Sequence, residues 1–212
     1  GPPGPGELEI VVIDVGYGDA LLVRSAEAGA WLIDTGYPEK YEKVEAALRD
    51  RGVDRLDSLL ITHPHPDHMG GAARAAAEFR PGRVFDNGLP PPAGFSPEAW
   101  REYLEVFRGH PGYSVIRPGP LPGWRGETAA VVGVGGVGEV NADSAVLRLE
   151  HAGRTVLLTG DLNRKGEEKL LAEGAALDAD LLKVGHHGGG DVASARFLAA
   201  AAPRWAAVSV GP

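Results

Sequence analysis

The sequence predicts a mixed α/β domain in which helices are layered onto β-sheet. Short apolar runs with the length of buried strands recur along the chain, segments of helical period alternate with them, and β-hairpin signals are inserted between. A length of 212 residues suits one large domain with a substantial core. The opening Gly1-Pro2-Pro3-Gly4-Pro5-Gly6 has neither the charged nor the apolar region of a signal peptide, and its first two residues read as the remnant of a removed tag. Residues 1–6 are therefore set apart as a linker and the domain is assigned to 7–212.

Leu8 to Val15, Ala20 to Arg24 and Ala30 to Asp34 are apolar runs parted by glycine-containing turns, which predicts a meander of strands. Tyr41, Val44 and Leu48 recur at helical spacing, and Gly52 stands where a helix end favours a residue without Cβ. Ser58 to Thr62 reads as a buried strand running into a polar cluster, and Met69 to Phe79 resumes as an Ala-rich helix, so the cluster is placed in a strand-to-helix loop. Ser96 as N-cap and Pro97 at the first helical position begin another helix, whose Trp100, Tyr103, Leu104 and Phe107 form an apolar stripe expected to pack in the core. Beyond a Pro/Gly-rich stretch from Arg117 to Gly126, strands are expected at Thr128 to Val134, Ser144 to Glu150 and Thr155 to Thr159, the last two joined by a turn at His151 to Arg154. A helix over Arg164 to Glu173, a strand Ala179 to Val184, a helix Ala193 to Ala202 and a strand Trp205 to Val210 follow.

Composition narrows the chemistry. No cysteine is present, so disulfides and thiolate ligands are excluded and any metal site must use imidazole and carboxylate. A formal charge of −8 has the wrong sign for bulk attraction to nucleic acid, so any contact with phosphate must be local. No apolar run approaches the roughly 20 residues a membrane-spanning helix requires, and direct membrane insertion of this domain is not expected.

His63-Pro64-His65-Pro66-Asp67-His68 gathers three imidazoles and a carboxylate directly after a strand, where rigid backbone can aim them at one point. The two prolines restrict the loop and leave less freedom to be lost on closing around a metal. Thr159-Gly160-Asp161 ends another apolar strand with a carboxylate, and Lys183-Val184-Gly185-His186-His187-Gly188 ends a third with paired histidines. A carboxylate at a strand end can bridge two cations, and an imidazole can complete a ligand set.

His63-x-His65-x-Asp67-His68, Asp34 in Ile33-Asp34-Thr35-Gly36, Asp161 and His186 resemble, in order, the successive motifs of the metallo-β-lactamase superfamily. Asp14-Val15-Gly16-Tyr17-Gly18-Asp19-Ala20, Leu157-Leu158-Thr159-Gly160-Asp161 and Leu182-Lys183-Val184-Gly185-His186-His187-Gly188 resemble more narrowly the C-terminal domain of ComEC-type DNA-uptake channels. The resemblance implies a four-layer αβ/βα sandwich, with the metal site at one edge between two sheets and every ligand on a loop. It implies two divalent ions, Mn²⁺ or Zn²⁺. His63 and His65 would hold one, Asp67, His68 and His186 the other, and Asp161 would bridge them, while Asp34 orients a ligand. Many superfamily members carry a further histidine ligand before the bridging aspartate. Here Asn141-Ala142-Asp143-Ser144 occupies that place, and Asp143 is the candidate substitute.

The catalytic candidates are Asp67, Asp161 and His187. Lys183, Gly188 and Ser144 are the candidate substrate contacts, with Lys183 facing either a scissile phosphate or solvent, and Gly188 to Gly190 either admitting phosphate to backbone amides or serving as a turn. The function implied is metal-dependent hydrolysis of DNA, as a single strand or the non-transported strand, by a domain of a bacterial inner-membrane channel on its outer face, partnered by the channel portion. A free-standing hydrolase of another ester and an inert channel domain are the alternatives. Relatives of this type continue past Gly211-Pro212, so the domain is expected to be truncated there. Gly133-Val134-Gly135-Gly136-Val137-Gly138 has the spacing of a dinucleotide fingerprint, but that motif must open a helix and here a further strand is expected.

Overall fold

Each half of the chain lays down one six-stranded sheet in strict sequence order. The computed structural model describes residues 1–93, 95–125 and 128–211; Gly126, which ends the Pro/Gly-rich stretch, and Pro212 lie outside them. The first sheet runs β1 (Leu8–Val12), β2 (Leu21–Ser25), β3 (Gly29–Ile33), β4 (Ser58–Leu60), β5 (Arg83–Asp86) and β6 (Tyr113–Val115). The second runs β7 (Gly119–Pro120), β8 (Ala129–Gly133), β9 (Val146–His151), β10 (Arg154–Leu158), β11 (Leu181–Lys183) and β12 (Trp205–Ala207). Both are mixed. β1, β2 and β3 pair antiparallel before β3 to β6 run parallel, and β7 to β10 pair antiparallel before β10 to β12 run parallel.

Alternation along the strands sorts side chains into separate layers, because successive residues point to opposite faces. Leu21, Val23, Trp31, Ile33, Leu60, Leu147, Leu149, Val156 and Leu158 meet between the two sheets, where Trp31 stacks on Phe85 at 6.0 Å. Leu22, Leu32, Leu59 and Ile61 face the other way, against α1 (Tyr41–Arg49), α3 (Ala72–Phe79) and the aromatic residues Tyr103 and Phe107. Val146, Leu157 and Leu182 cover the outer side of the second sheet with α5 (Arg164–Ala172) and α6 (Ala195–Ala201). The four layers are thus helix, sheet, sheet, helix, in a single domain. Strands buried on both faces lose the polar alternation of a solvent-facing sheet, which is why they read as continuous apolar runs.

Local chemistry ends the helices where the sequence indicates. Gly52 lies at φ 71° just past α1, Asn163 accepts from the amides of Lys165 and Gly166 at the start of α5, and Ser194 accepts from Phe197 at the start of α6. Two expectations change. α4 (Pro97–Glu102) continues as a π-helical segment, Tyr103–Arg108, whose wider turn carries Leu104 out to 39% exposure while Trp100, Tyr103 and Phe107 stack in register. The His-rich segment is also not all loop: α2 (Pro66–Met69) gives Asp67 and His68 a helical turn.

This arrangement positions the site. Asp34 follows β3, His63 follows β4, Asp161 follows β10 and His187 follows β11. All four strands belong to the parallel portions of the sheets and present their carboxyl ends on the same side, where open α/β sheets collect ligands.

Candidate metal centre

Among the described residues, three groups of clustered donor side chains, all buried but the half-buried His65, meet here; Asp161 belongs to two of them, and the third is Asp19, Asp34 and His68. Donor atoms of His63, His65 and Asp161 lie within 4.8 Å of one another, as do those of Asp67, His68, Asp161 and His187. Within the first group His63 Nε2 is 3.0 Å from His65 Nδ1 and 3.7 Å from an Asp161 oxygen. Within the second, His187 Nε2 lies 3.2 Å from Asp67 and 3.5 Å from Asp161, and His68 Nε2 lies 3.1 Å from Asp161 Oδ1. Yet His68 Nε2 and Asp161 Oδ1 are buried without an aligned hydrogen bond. Atoms that crowd together but do not point at each other are aimed at a common third point, so the set fits a pair of cations that share Asp161.

A carboxylate behind the site fixes the rings. Asp34 is fully buried, and its Oδ1 accepts the Thr62 amide at 2.8 Å. Its Oδ2 lies 2.8 Å from both the Thr62 hydroxyl and His68 Nδ1. The Thr62 hydroxyl donates to Asp34 and is 3.1 Å from His63 Nδ1, so it is left to accept from that nitrogen. Asp34 therefore orients His68 directly and His63 through Thr62, and in both rings turns Nε2 toward the site. Backbone approach is equally tight: at Gly18, φ 116°, a Cβ would come within 2.4 Å of the Asp67 carbonyl.

Electrostatics divide the two groups. Burial, reinforced by charge at His68, holds the His63 imidazole well below its ordinary value, and burial also lowers His65. These two are neutral and have lone pairs ready. Burial opposes charge at His68 as well, but Asp161 and Asp34 outweigh it and raise this imidazole well above 6.5. His187 is likewise raised, against burial, to about 9 by the adjoining carboxylates of Asp161 and Asp67. The Asp161 carboxyl is pushed far below the usual range despite burial, first by His68 and then by His187.

A cation at His187 must displace that proton. The affinity of the corresponding equivalent is expected to fall as pH drops below about 9, by about tenfold per pH unit for each proton displaced. Titration calorimetry in two buffers of different ionisation enthalpy counts those protons, and uptake of both equivalents near neutral pH without proton release would contradict this. In the metal-free fold the same raised group stabilises fully below 6.5, and that contribution is lost as pH rises through about 9.

Several sequence candidates sit elsewhere than expected. His186 is half-exposed at the rim, its ring nitrogens 3.2 Å from Asn141 and from Asp191, and the adjacent His187 takes the inward place. Asp143 lies outside both groups: its carboxylate accepts the amides of Val137 at 2.7 Å and Gly138 at 2.8 Å and so organises the Gly-rich loop. No helix opens at that loop. Lys183 is 1% exposed and paired with Asp19 at 2.8 Å, so it does not project to solvent. Ser144 is buried and accepts the Asp161 amide at 3.2 Å, which places it behind Asp161. Gly188 is exposed beside the site at φ 74°.

Sequence reasoning assigned no role to Thr62, Tyr37 or Asp19. Asp19 entered only as a member of the Asp14 to Ala20 motif, with no role of its own. Tyr17, 49% exposed, lays its ring 4.4 Å from that of His187. Partial burial, then the charges of Asp67 and Asp161, raise its phenol, and burial and Asp67 do the same at Tyr37, so both hydroxyls remain donors at the mouth.

Comparison with known proteins agrees with this fold. Among curated relatives, ComE operon protein 3 of Bacillus subtilis (strain 168) is 29% identical over 97% of this chain, and competence protein ComA of Neisseria gonorrhoeae is 31% identical over 97%. The chain covers 28% and 27% of those two proteins, little more than a quarter of each. Among solved structures, the subclass B3 metallo-beta-lactamase MEM-A1, from a soil metagenome library, superposes with a TM-score of 0.58 at 19% identity, covering 86% of this chain and 79% of its own. A B3 metallo-beta-lactamase with an active-site glutamic acid gives 0.56 at 19% identity over 95% and 86%. Those structures share the fold. The model of the metallo-beta-lactamase superfamily matches residues 13–211, and with nearly the whole chain accounted for in this way, the protein belongs to that superfamily.

Proposed function

We propose that this domain is a metal-dependent nuclease that hydrolyses phosphodiester bonds of DNA during competence, as the outer-face domain of a membrane channel protein. The observation that carries the reading is the sharing of Asp161 between two donor groups, a layout suited to attack on a phosphodiester. The likeness to two proteins named for competence directs it toward DNA. No helix among the described residues is long and apolar enough to cross a membrane, so anchoring would come from the remainder of the parent protein.

Bound Mn²⁺ or Zn²⁺ would supply Lewis acidity and lower the pKa of water to near neutrality. The chain's own residues do the rest. His63 and His65 offer neutral lone pairs, Asp67, His68 and His187 form the second set, and Asp161 gives oxygen to both. Asp34 and Thr62 hold the rings in the ligating orientation. Tyr17 and Tyr37 keep protonated hydroxyls at the entrance, able to donate to phosphate oxygens. With a net charge of −8, phosphate must be met by such local donors and by the cations themselves.

Incubation of linear plasmid and single-stranded DNA with Mn²⁺, Zn²⁺ or Mg²⁺ tests the reading, with Asp67→Ala and His65→Ala as controls against contaminating nucleases. Metal-dependent cutting lost in both variants is the expected result. Bound metal without cutting of either DNA would move the function to another ester or to an inert channel domain.

A further inference from the structure

Nδ1 of His187 and Oδ1 of Asp19 are both buried and both without a hydrogen-bond partner. They face each other at 3.7 Å, just beyond hydrogen-bond reach. The other oxygen of Asp19 is taken: Lys183 Nζ donates to it at 2.8 Å and to the Val184 carbonyl at 3.0 Å. Lys183 and Asp19 come from opposite ends of the chain and both are fully enclosed. A buried ion pair seldom adds net stability over apolar packing, so what it holds in place deserves an account.

One arrangement satisfies both orphaned atoms. A proton on His187 Nδ1 donates to Asp19 Oδ1 after a movement of about 1 Å, and Nε2 presents its lone pair beside Asp67 and Asp161 once a cation displaces the second proton. Asp34 stands in the same relation to His68, its Oδ2 2.8 Å from Nδ1 while Nε2 faces Asp161. The backbone at His187 makes such a hold necessary, because His186 and His187 occupy the left-handed region at φ 41° and 53°, which residues with a Cβ adopt only under constraint. Lys183 fixes the far oxygen of Asp19, so the near one is presented to the ring.

We infer that Asp19 is the positioning residue of His187 and that Lys183 is its anchor, a Lys183–Asp19–His187 chain that sets the tautomer in which Nε2 is a ligand. This rests on the two-group metal centre proposed above.

Two double variants separate positioning from charge balance. Asp19→Ala/Lys183→Met and Asp19→Asn/Lys183→Met both remove the buried pair together, and only the second keeps an acceptor oxygen for His187. Chelator competition with Zn²⁺ should show one of two equivalents weakened about 10- to 100-fold in the Ala/Met variant, with the other equivalent unchanged and the Asn/Met variant close to wild type. Nitrogen NMR of ¹⁵N-histidine protein loaded with Zn²⁺ should place the His187 proton on Nδ1 in wild type. Equal affinities in the two doubles, a wild-type proton on Nε2, or failure of either double to fold would each overturn the inference. Wild-type protein that takes up no Zn²⁺ would instead remove the metal centre itself, a distinct outcome.

Discussion

Asp161→Ala is expected to abolish both metal equivalents and hydrolysis in one step, where Asp67→Ala leaves the first group able to hold its ion. Asp161 is the single residue common to His63–His65 and to Asp67–His68–His187. It is also the charge that chiefly offsets the burial of His68, and its bond heads those that raise His187. Without it, each group loses an anionic donor, and His68 and His187 lose their common counterion. Turnover of a model phosphodiester should fall by about a thousandfold or more, equivalent to roughly 4 kcal/mol of barrier. Metal content after dialysis should drop from two equivalents to none, against about one for Asp67→Ala. Retention of one tightly held ion by Asp161→Ala would contradict the shared role.

Asp34→Ala is expected to damage the fold and the site together. The carboxylate receives the Thr62 amide and hydroxyl and sits on His68 Nδ1, all at 2.8 Å in a fully buried setting. Removing one partner from a buried, charged network typically costs about 3–5 kcal/mol, which for a domain of this size lowers the melting temperature by about 10 °C. Both groups should lose affinity as well, because Asp34 aims His68 directly and His63 through Thr62. Asp34→Asn, which keeps an acceptor for the Thr62 amide but neutralises the partner of His68, should fall between. Thermal melts of the metal-free protein separate the structural loss from the loss of metal. Wild-type stability in Asp34→Ala would show that Thr62 and His68 are held by something else.

The layered architecture was legible because strands between two layers write unbroken apolar runs, and helices that cover a sheet write a clear 3.6-residue period. β5, β6 and β7 were missed for the opposite reason. They are four, three and two residues long, lie beside Pro and Gly, and are recognisable only by their neighbours. The four donor side chains that follow β4, His63, His65, Asp67 and His68, were likewise visible as a dense cluster. The choice between His186 and His187 was not, since identical adjacent residues are separated only by the left-handed turn that rotates the second inward. Asp143 had a suitable place in the order of motifs, but a loop with successive free amides at Val137 and Gly138 claims its carboxylate. Lys183 shows a similar limit: the period of two on β11 puts it on the face shared with Leu181, toward the first sheet, where its partner lies far away in sequence.

Anomalous diffraction from crystals of the Zn²⁺-loaded protein tests the shared-carboxylate metal centre most directly. The account predicts two peaks, one bounded by His63, His65 and Asp161, the other by Asp67, His68, Asp161 and His187, with His186 and Asp143 outside both. A single peak, or a zinc ion held by Asp143 or His186, would contradict it.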